Sequence, residues 1–313
     1  MNQALLDHAT QTIDVGSKSF ATAARLFDSE TRRSAIMLYA WCRYCDDVID
    51  GQVLGFNDTG SNDTIANSHG DQARLDELRE LTLRAYTGEP VATPAFAALQ
   101  AVVRHHDIPE RYPMAHLDGF AMDVQGQRYQ TIDDTLRYSY HVAGVVGVMM
   151  AHVMGVRDEA TLDRACDLGL AFQLTNIARD LVEDAGMGRC YLPAAWLAEV
   201  GIAEDDIAAP RHRPALAGLA QRLVDTAEPY YHSARGGLPA LPLRSAWAIA
   251  TAHGVYREIG VKVKERGAQA WDRRVSTSKT EKAGLLMRGA GVAVSSRFVT
   301  PEPRPAQLWT RPA

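Results

Sequence analysis

The 313-residue chain is 46% hydrophobic and 23% charged, which excludes a disordered protein and supplies enough apolar material for a large core. Its formal charge of −5 is uneven: from Arg257 onward twelve basic residues stand against five acidic ones, so that segment carries +7 and the rest −12. The first residues lack a basic stretch followed by an apolar one, and the longest apolar segment, 142–156, is interrupted by His152 and falls short of the ~20 residues of a membrane span.

Helical periodicity dominates and alternating β-branched runs are nearly absent, so the expected fold class is all-α. Helices are expected over 34–50, 71–86, 94–106, 109–124, 133–154, 159–184, 213–233 and 243–266. The Gly-, Asn-, Asp- and Ser-rich stretch 51–70 reads as a mobile loop. In the helix over 133–154, Gly144, Gly147 and Ala151 fall on one side and Val142, Val145 and Met149 on another. The second face either lines an apolar cavity or packs in the core. No linker divides the helical pattern, which predicts a single domain over 1–299 and an irregular tail over 300–313. Cys42 and Cys45 read as half-buried helix cysteines of a reducing compartment, and Cys166 and Cys190 match no zinc spacing.

Two acidic clusters carry the chemistry. In the first, Tyr39, Arg43, Asp46 and Asp50 project within about 60° of one another, with Asp47 beside them. In the second, Gln173, Asn176, Asp180 and Asp184 project within about 80°, with Arg179 to the side. Each lies toward a helix C-terminus, where the macrodipole disfavours carboxylates, so helix stability does not account for them. Either cluster alone is compatible with a solvated acidic face. Together they place paired carboxylates on two helices, as hard divalent cations bound through carboxylate and water require. Mg²⁺ takes only one or two carboxylates and completes its shell with water and phosphate, so two such helices point to several ions bridging a diphosphate. Arg43, Arg179 and Arg189 are the expected donors to phosphate oxygens.

These residues resemble the squalene/phytoene synthase family from about Gly16 to Lys282. The motifs that carry the likeness are Ser17-Lys18-Ser19-Phe20, Asp46-Asp-Val-Ile-Asp50, Tyr138-Ser-Tyr-His-Val-Ala-Gly144-Val-Val-Gly147, Asn176-Ile-Ala-Arg179-Asp180-Leu-Val-Glu-Asp184, and Arg189 with Tyr191-Leu-Pro193. Within the family the chain looks most like bacterial phytoene synthases, through Asp118-Gly-Phe-Ala-Met122-Asp123, Arg128-Tyr129 and the segment 247–260.

The resemblance implies an isoprenoid synthase-type helical bundle with a central apolar pocket. It also implies a Mg²⁺- or Mn²⁺-dependent prenyltransferase of carotenoid biosynthesis. The reaction would be head-to-head condensation of two geranylgeranyl diphosphates to phytoene through prephytoene diphosphate, with release of diphosphate. The metal ligands would be Asp46, Asp47, Asp50, Asn176, Asp180 and Asp184. Catalytic roles would fall to Asp46, Asp50, Asp180, Asp184, Arg43, Arg179 and Tyr138. Substrate would meet Ser17, Lys18, Ser19, Phe20, Tyr39, Gln173, Asn176, Arg189, Tyr256, Arg274 and Lys279. Tyr39, Tyr138 and Tyr256 are candidates for stabilising a carbocation through their ring faces. Where some relatives carry His before the Ser-Lys-Ser segment, this chain has Gly16, so no role of that His carries over.

The alternative within the family is a squalene or dehydrosqualene synthase using C15 farnesyl diphosphate. Squalene formation needs NADPH, for which there is no dinucleotide fingerprint, and none is expected. A noncatalytic scaffold of the same fold would have lost a motif Asp or Arg, and none is lost. Nucleic acid is not expected as a partner, because the basic excess sits at one end without a recognisable module. The expected location is the cytoplasm, with peripheral contact to membrane and to neighbouring carotenoid-pathway enzymes.

Overall fold

The computed structural model describes residues 3–16, 18–50, 52–53, 56–57 and 68–312, and within these the side chains of 3–4, 7–8, 14–16, 18–20, 50, 52–53, 56–57 and 68–69 lie outside the description. The described residues are all-α apart from one short antiparallel ladder. In order the helices are α1 (Gln3–Gly16), α2 (Lys18–Ala24), α3 (Ser29–Asp50), α4 (Ser68–Thr87), α5 (Pro94–His106) and α6 (Arg111–Val124). Then come α7 (Ile132–Ser139), α8 (Val145–Val153), α9 (Glu159–Gly186), α10 (Ala194–Glu199), α11 (Arg213–Arg235), α12 (Leu243–Arg266) and α13 (Lys279–Ser295). The ladder pairs β1 (Gln52–Val53) with β2 (Phe56–Asn57). It falls within the expected mobile loop, most of which lies outside the described residues.

Local sequence explains several boundaries. Thr131 and Asp134 form a reciprocal capping box at the start of α7, and Ser278 and Glu281 do the same for α13. Asp158 caps α9 by accepting from the Thr161 amide at 2.9 Å. α5 ends on Asp107 in the left-handed conformation, φ 48°, with its N–H returned to Val103.

Helix α9 is the central element, packed by α8, α11 and α12. Its Leu170, Leu174, Ile177 and Ala178 are fully buried, and the core continues through Trp41 and Met37 of α3 and Leu99 of α5.

The expected continuous helix over 133–154 is broken by a π turn at Tyr140–Gly144 between α7 and α8. A π turn inserts an extra residue and rotates everything beyond it relative to a simple helical projection. The cavity is consequently lined by Val142, Ala143, Val146, Gly147, Met150 and Ala151, while Val145 and Met149 are wholly buried in the core. The apolar face expected to border the cavity is thus split. Gly169 of α9 crosses the turn so closely that a Cβ there would sit 2.3 Å from the Ala143 carbonyl oxygen.

The described residues beyond Thr300 form no helix, but they are tied down. Arg304 clamps the fully buried Asp167 of α9 through two bonds of 2.9 and 2.8 Å, and Ser233 of α11 donates to the same carboxylate at 2.6 Å. Arg311, also buried, reaches Asp163 at 2.7 Å and Glu159. Leu308 enters the core between these anchors.

Candidate active site

A cavity of about 500 Å³ runs through the centre of the bundle. Much of its wall is apolar, with Phe27, Leu38, Met150, Met154, Leu168 and Leu241 among the lining residues. Polar side chains gather elsewhere on its surface: Arg43 and Asp46 from α3, Gln173 and Asn176 from α9, Asp123 from α6, and Arg189 and Lys282. An apolar chamber bordered by a limited set of charged groups suits a long hydrocarbon with an anionic head.

On α3, the Arg43 guanidinium bridges Asp46 at 3.0 Å and Asp47 at 2.7 Å, while its buried Nε has no hydrogen-bond partner. On α9, Arg179 makes a bidentate pair with its neighbour Asp180, at 2.8 Å through Nε and 2.5 Å through Nη2. Arg274 also donates to Asp180, at 3.1 Å, and pairs with Glu183. Burial, followed by the charge of Asp180, pushes the Asp184 carboxyl up to about 7, against the pull of Arg189.

Asn176 Oδ1 is buried without a hydrogen-bond partner, one helical turn before Asp180 and two before Asp184. An orphaned oxygen in line with a carboxylate that resists ionisation fits a hard cation, which would satisfy both. Among the described side chains, however, no three acidic, histidine or cysteine groups converge on one point.

Aromatic rings also line the cavity. Tyr256 stacks on Phe172 with centroids 4.1 Å apart, and burial raises its hydroxyl pKa. Tyr39 borders the same cavity, and burial pushes it up to about 12. Tyr138 stacks on Tyr191 at 4.5 Å, and both donate to Asp123, at 3.0 and 3.2 Å. Two bonds to backbone carbonyls bring this group together: the Ala194 amide donates to Tyr129 O at 2.8 Å, and the Thr135 side chain donates through Oγ1 to Tyr191 O at 2.9 Å.

A profile of squalene/phytoene synthases matches residues 13–281, a span that holds both acidic clusters, the tyrosines and Asp123. The chain belongs to the squalene/phytoene synthase family. It is 63% identical over 300 residues to a 15-cis-phytoene synthase of Enterobacter agglomerans, covering 96% of this chain and 100% of that one. It is 60% identical over 311 residues to a 15-cis-phytoene synthase of Pantoea ananas, covering 99% of each. The fold superposes on the crystal structure of a dehydrosqualene synthase in complex with ligand, with TM-score 0.82, 27% identity, and coverage of 94% of this chain and 98% of that one.

Within this family member, the residues expected from sequence divide into three groups. Tyr39, Arg43, Asp46, Tyr138, Gln173, Asn176, Arg189 and Tyr256 all line the cavity. Asp47, Arg179, Asp180, Asp184, Arg274 and Lys279 do not, and the first three of these are held in ion pairs within their own helix. Lys279 is exposed as the first residue of α13, and Lys282, one turn further on, is the lysine that reaches the cavity. Ser17 and the side chains of Lys18, Ser19, Phe20 and Asp50 lie outside the described residues.

Sequence reasoning missed Asp123 as a site residue, along with Tyr191, Phe172 and Lys282. Asp123 and Tyr191 stood in quoted motifs, but nothing local revealed that two tyrosine hydroxyls 15 and 68 residues away would converge on one carboxylate.

Proposed function

We propose that this chain is a phytoene synthase, condensing two geranylgeranyl diphosphates head to head through prephytoene diphosphate and releasing diphosphate. The observation that carries the reading is identity of 60 to 63% to 15-cis-phytoene synthases along essentially the whole chain. Likeness to a dehydrosqualene synthase is lower, at 27%, and speaks for the shared architecture.

The chain's own groups suit the reaction's electrostatics. Heterolysis of an allylic C–O bond separates a carbocation from diphosphate, so positive charge must be fixed at one end and water excluded at the other. Arg43, Arg189 and Lys282 line the cavity and would offer donors to the leaving diphosphate. Phe172 with Tyr256, and Tyr138 with Tyr191, present ring faces and edges to the chamber that would receive the cation. The groups that would hold divalent cations are Asp46, Asp180, Asp184 and Asn176, joined by Asp50 at the end of α3. Mg²⁺ or Mn²⁺, when bound, would neutralise diphosphate charge and favour its departure. Because Arg43 and Arg179 occupy carboxylate oxygens, substrate and cation binding would involve an exchange of partners in which these guanidiniums turn toward phosphate.

A hydrocarbon product of this length also supports peripheral membrane contact. Among the described residues no helix is long and apolar enough to cross a membrane. The deciding assay gives purified protein Mg²⁺ and either C15 or C20 diphosphate, with and without NADPH, and identifies products by mass. Phytoene from the C20 substrate without NADPH is expected; turnover of the C15 substrate alone overturns the reading.

A further inference from the structure

Helix α13 divides its apolar residues between two faces. Its fully buried residues are the small Gly289 and Ala293, with Gly289 pressed against Thr251 of α12, and Leu285 and Val292 are partly buried, while Met287 and Val294 are exposed. Met287 and Val294 are seven residues apart and so share a face, with Gly284 and Gly291 between their lines. Met287 is 71% exposed, and in the turn after α13 Phe298 is 83% and Val299 64% exposed. Isolated exposed apolar residues are ordinary on any protein, but a continuous run on one face is not. The run extends sideways as well. α12 and α13 cross antiparallel, Gly254 against Leu285 and Thr251 against Gly289, and Arg297 donates to the Pro239 and Leu241 carbonyls. Exposed Leu243, at the start of α12, therefore lies near the Phe298 end.

Beyond Glu281, the charged residues along α13 and the turn after it are cations. Residues 282–301 contain no Asp or Glu, and their charged residues are Lys282, Arg288 and Arg297. Beside the face, a groove of about 40 Å³ between α11, α12 and α13 is bordered by Arg235, Arg257 and Arg288 together with Leu285 and Val292. Arg257 is paired with Glu228 at 2.9 Å and Glu258 stands at the edge, whereas Arg235 and Arg288 have no ion pair among the described residues. Leu238 borders both this groove and the central cavity.

We infer that this face docks on an anionic lipid bilayer, with Met287, Val294, Phe298 and Val299 entering the acyl boundary and Arg235 and Arg288 meeting lipid phosphates. This deepens the peripheral-contact reading above by assigning its surface, and it holds whichever prenyl chain is the substrate. Charge complementarity selects this occupant over a second copy of the chain. A two-fold pairing through α13 would oppose Arg288 and Arg297 to the same cations of the partner. The groove's shared wall with the cavity sets the docked face beside the chamber that holds the hydrocarbon.

The test uses the whole protein and vesicles of phosphatidylcholine with or without roughly one-third phosphatidylglycerol. Wild-type protein is expected to sediment with the anionic vesicles and to dissociate as salt rises. The double substitution Met287→Asp, Phe298→Asp should weaken binding by at least about tenfold, and Arg288→Glu should weaken it and flatten its salt dependence. Both variants should keep wild-type helicity and wild-type turnover of detergent-dispersed substrate. A Phe298→Trp variant should show blue-shifted emission quenched by brominated acyl chains. If wild-type protein ignores anionic vesicles, membrane contact itself fails; if it binds but the double variant binds equally, or the Phe298→Trp emission is unquenched, this surface fails. A dimer lost in the double variant while vesicle binding persists would also overturn the assignment.

Discussion

The hydroxyl of Tyr138 donates to Asp123 at 3.0 Å while its ring stacks on Tyr191, whose hydroxyl donates to the other oxygen of the same carboxylate. All three residues border the central cavity, so a fixed carboxylate with two ordered phenols is presented where substrate would lie. Tyr138→Phe keeps the ring stack and deletes one donor, and we expect turnover to drop about tenfold with little change in melting temperature. Asp123→Asn leaves both phenols facing an amide and should cost more, about a hundredfold. Steady-state rates beside thermal unfolding check both; an Asp123→Asn variant with wild-type turnover would remove the carboxylate from the reaction.

Asp46 and Asp184 stand on different helices, and in the function proposed here both would hold divalent cations. Asp46→Ala and Asp184→Ala should each abolish Mg²⁺-dependent ionisation of the allylic diphosphate while helicity stays unchanged. For Asp184 the variant also removes a carboxyl that burial and Asp180 hold near 7, so the metal-free protein should not lose stability at neutral pH. Diphosphate release and circular dichroism measured on the same preparations separate the two effects. Undiminished release from either variant would exclude that carboxylate as a required ligand.

Much of this site was legible in the sequence because it is local. Tyr39, Arg43 and Asp46 share a helix face by spacing alone, as do Gln173 and Asn176, and all five reach the cavity. The parts that were not legible depend on contacts between distant segments or on local departures from ideal helix. The convergence on Asp123, at the end of α6, needs α7 and the segment after α9 to dock on it. The π turn rotates α8, so a 100° projection misplaces Val145 and Met149. α13 gave no helical signal because its fully buried positions are Gly289 and Ala293 rather than Leu or Ile, and Gly284, Gly289 and Gly291 interrupt its apolar pattern. The tail's order is equally invisible to periodicity, since arginines hold it.

Gly169 illustrates how close packing shapes the chamber. Its Cα passes so near the π turn that an added Cβ would meet Ala143 O at 2.3 Å and Gly144 Cα at 2.6 Å, both backbone atoms with little room to yield. Gly169→Ala must therefore separate α9 from the turn, and we expect a loss of about 1–3 kcal/mol in unfolding free energy. Urea unfolding checks this. A neutral result would mean that the two segments slide apart at no cost.

The tail makes a separate prediction. Asp167 is fully buried and accepts two bonds from Arg304 and one from Ser233. Arg304→Ala would leave that carboxylate without its countercharge, at a cost of about 3–5 kcal/mol. Combining it with Asp167→Asn should recover a large part, because the amide carries no charge to strand. Thermal unfolding of the two single variants and the double variant closes the cycle, and simple additivity would show that the pair is not coupled.

Acid stability supplies the last prediction. Burial pushes His116, His152 and His253 each down to about 4 from an ordinary 6.5. Above pH 6.5 these groups are neutral in both folded and unfolded chains and contribute nothing. As pH falls from 6.5 toward 4 the unfolded chain takes up protons that the folded chain refuses, so each histidine lowers stability through that window. Asp184, raised to about 7, works with the opposite sign over overlapping pH, so the total slope mixes the two. Comparing wild type with His253→Gln isolates one term. The glutamine amide can still donate to the Tyr231 carbonyl that His253 Nε2 meets at 2.9 Å, while the titration disappears. Across pH 4.5 to 6.5, which avoids most of the acid loss from Glu281, held down to about 2, the two slopes should differ by about one proton, with the variant falling less on acidification. Urea unfolding at several pH values measures that difference, and parallel slopes would show that His253 takes up its proton as readily in the folded chain as in the unfolded one.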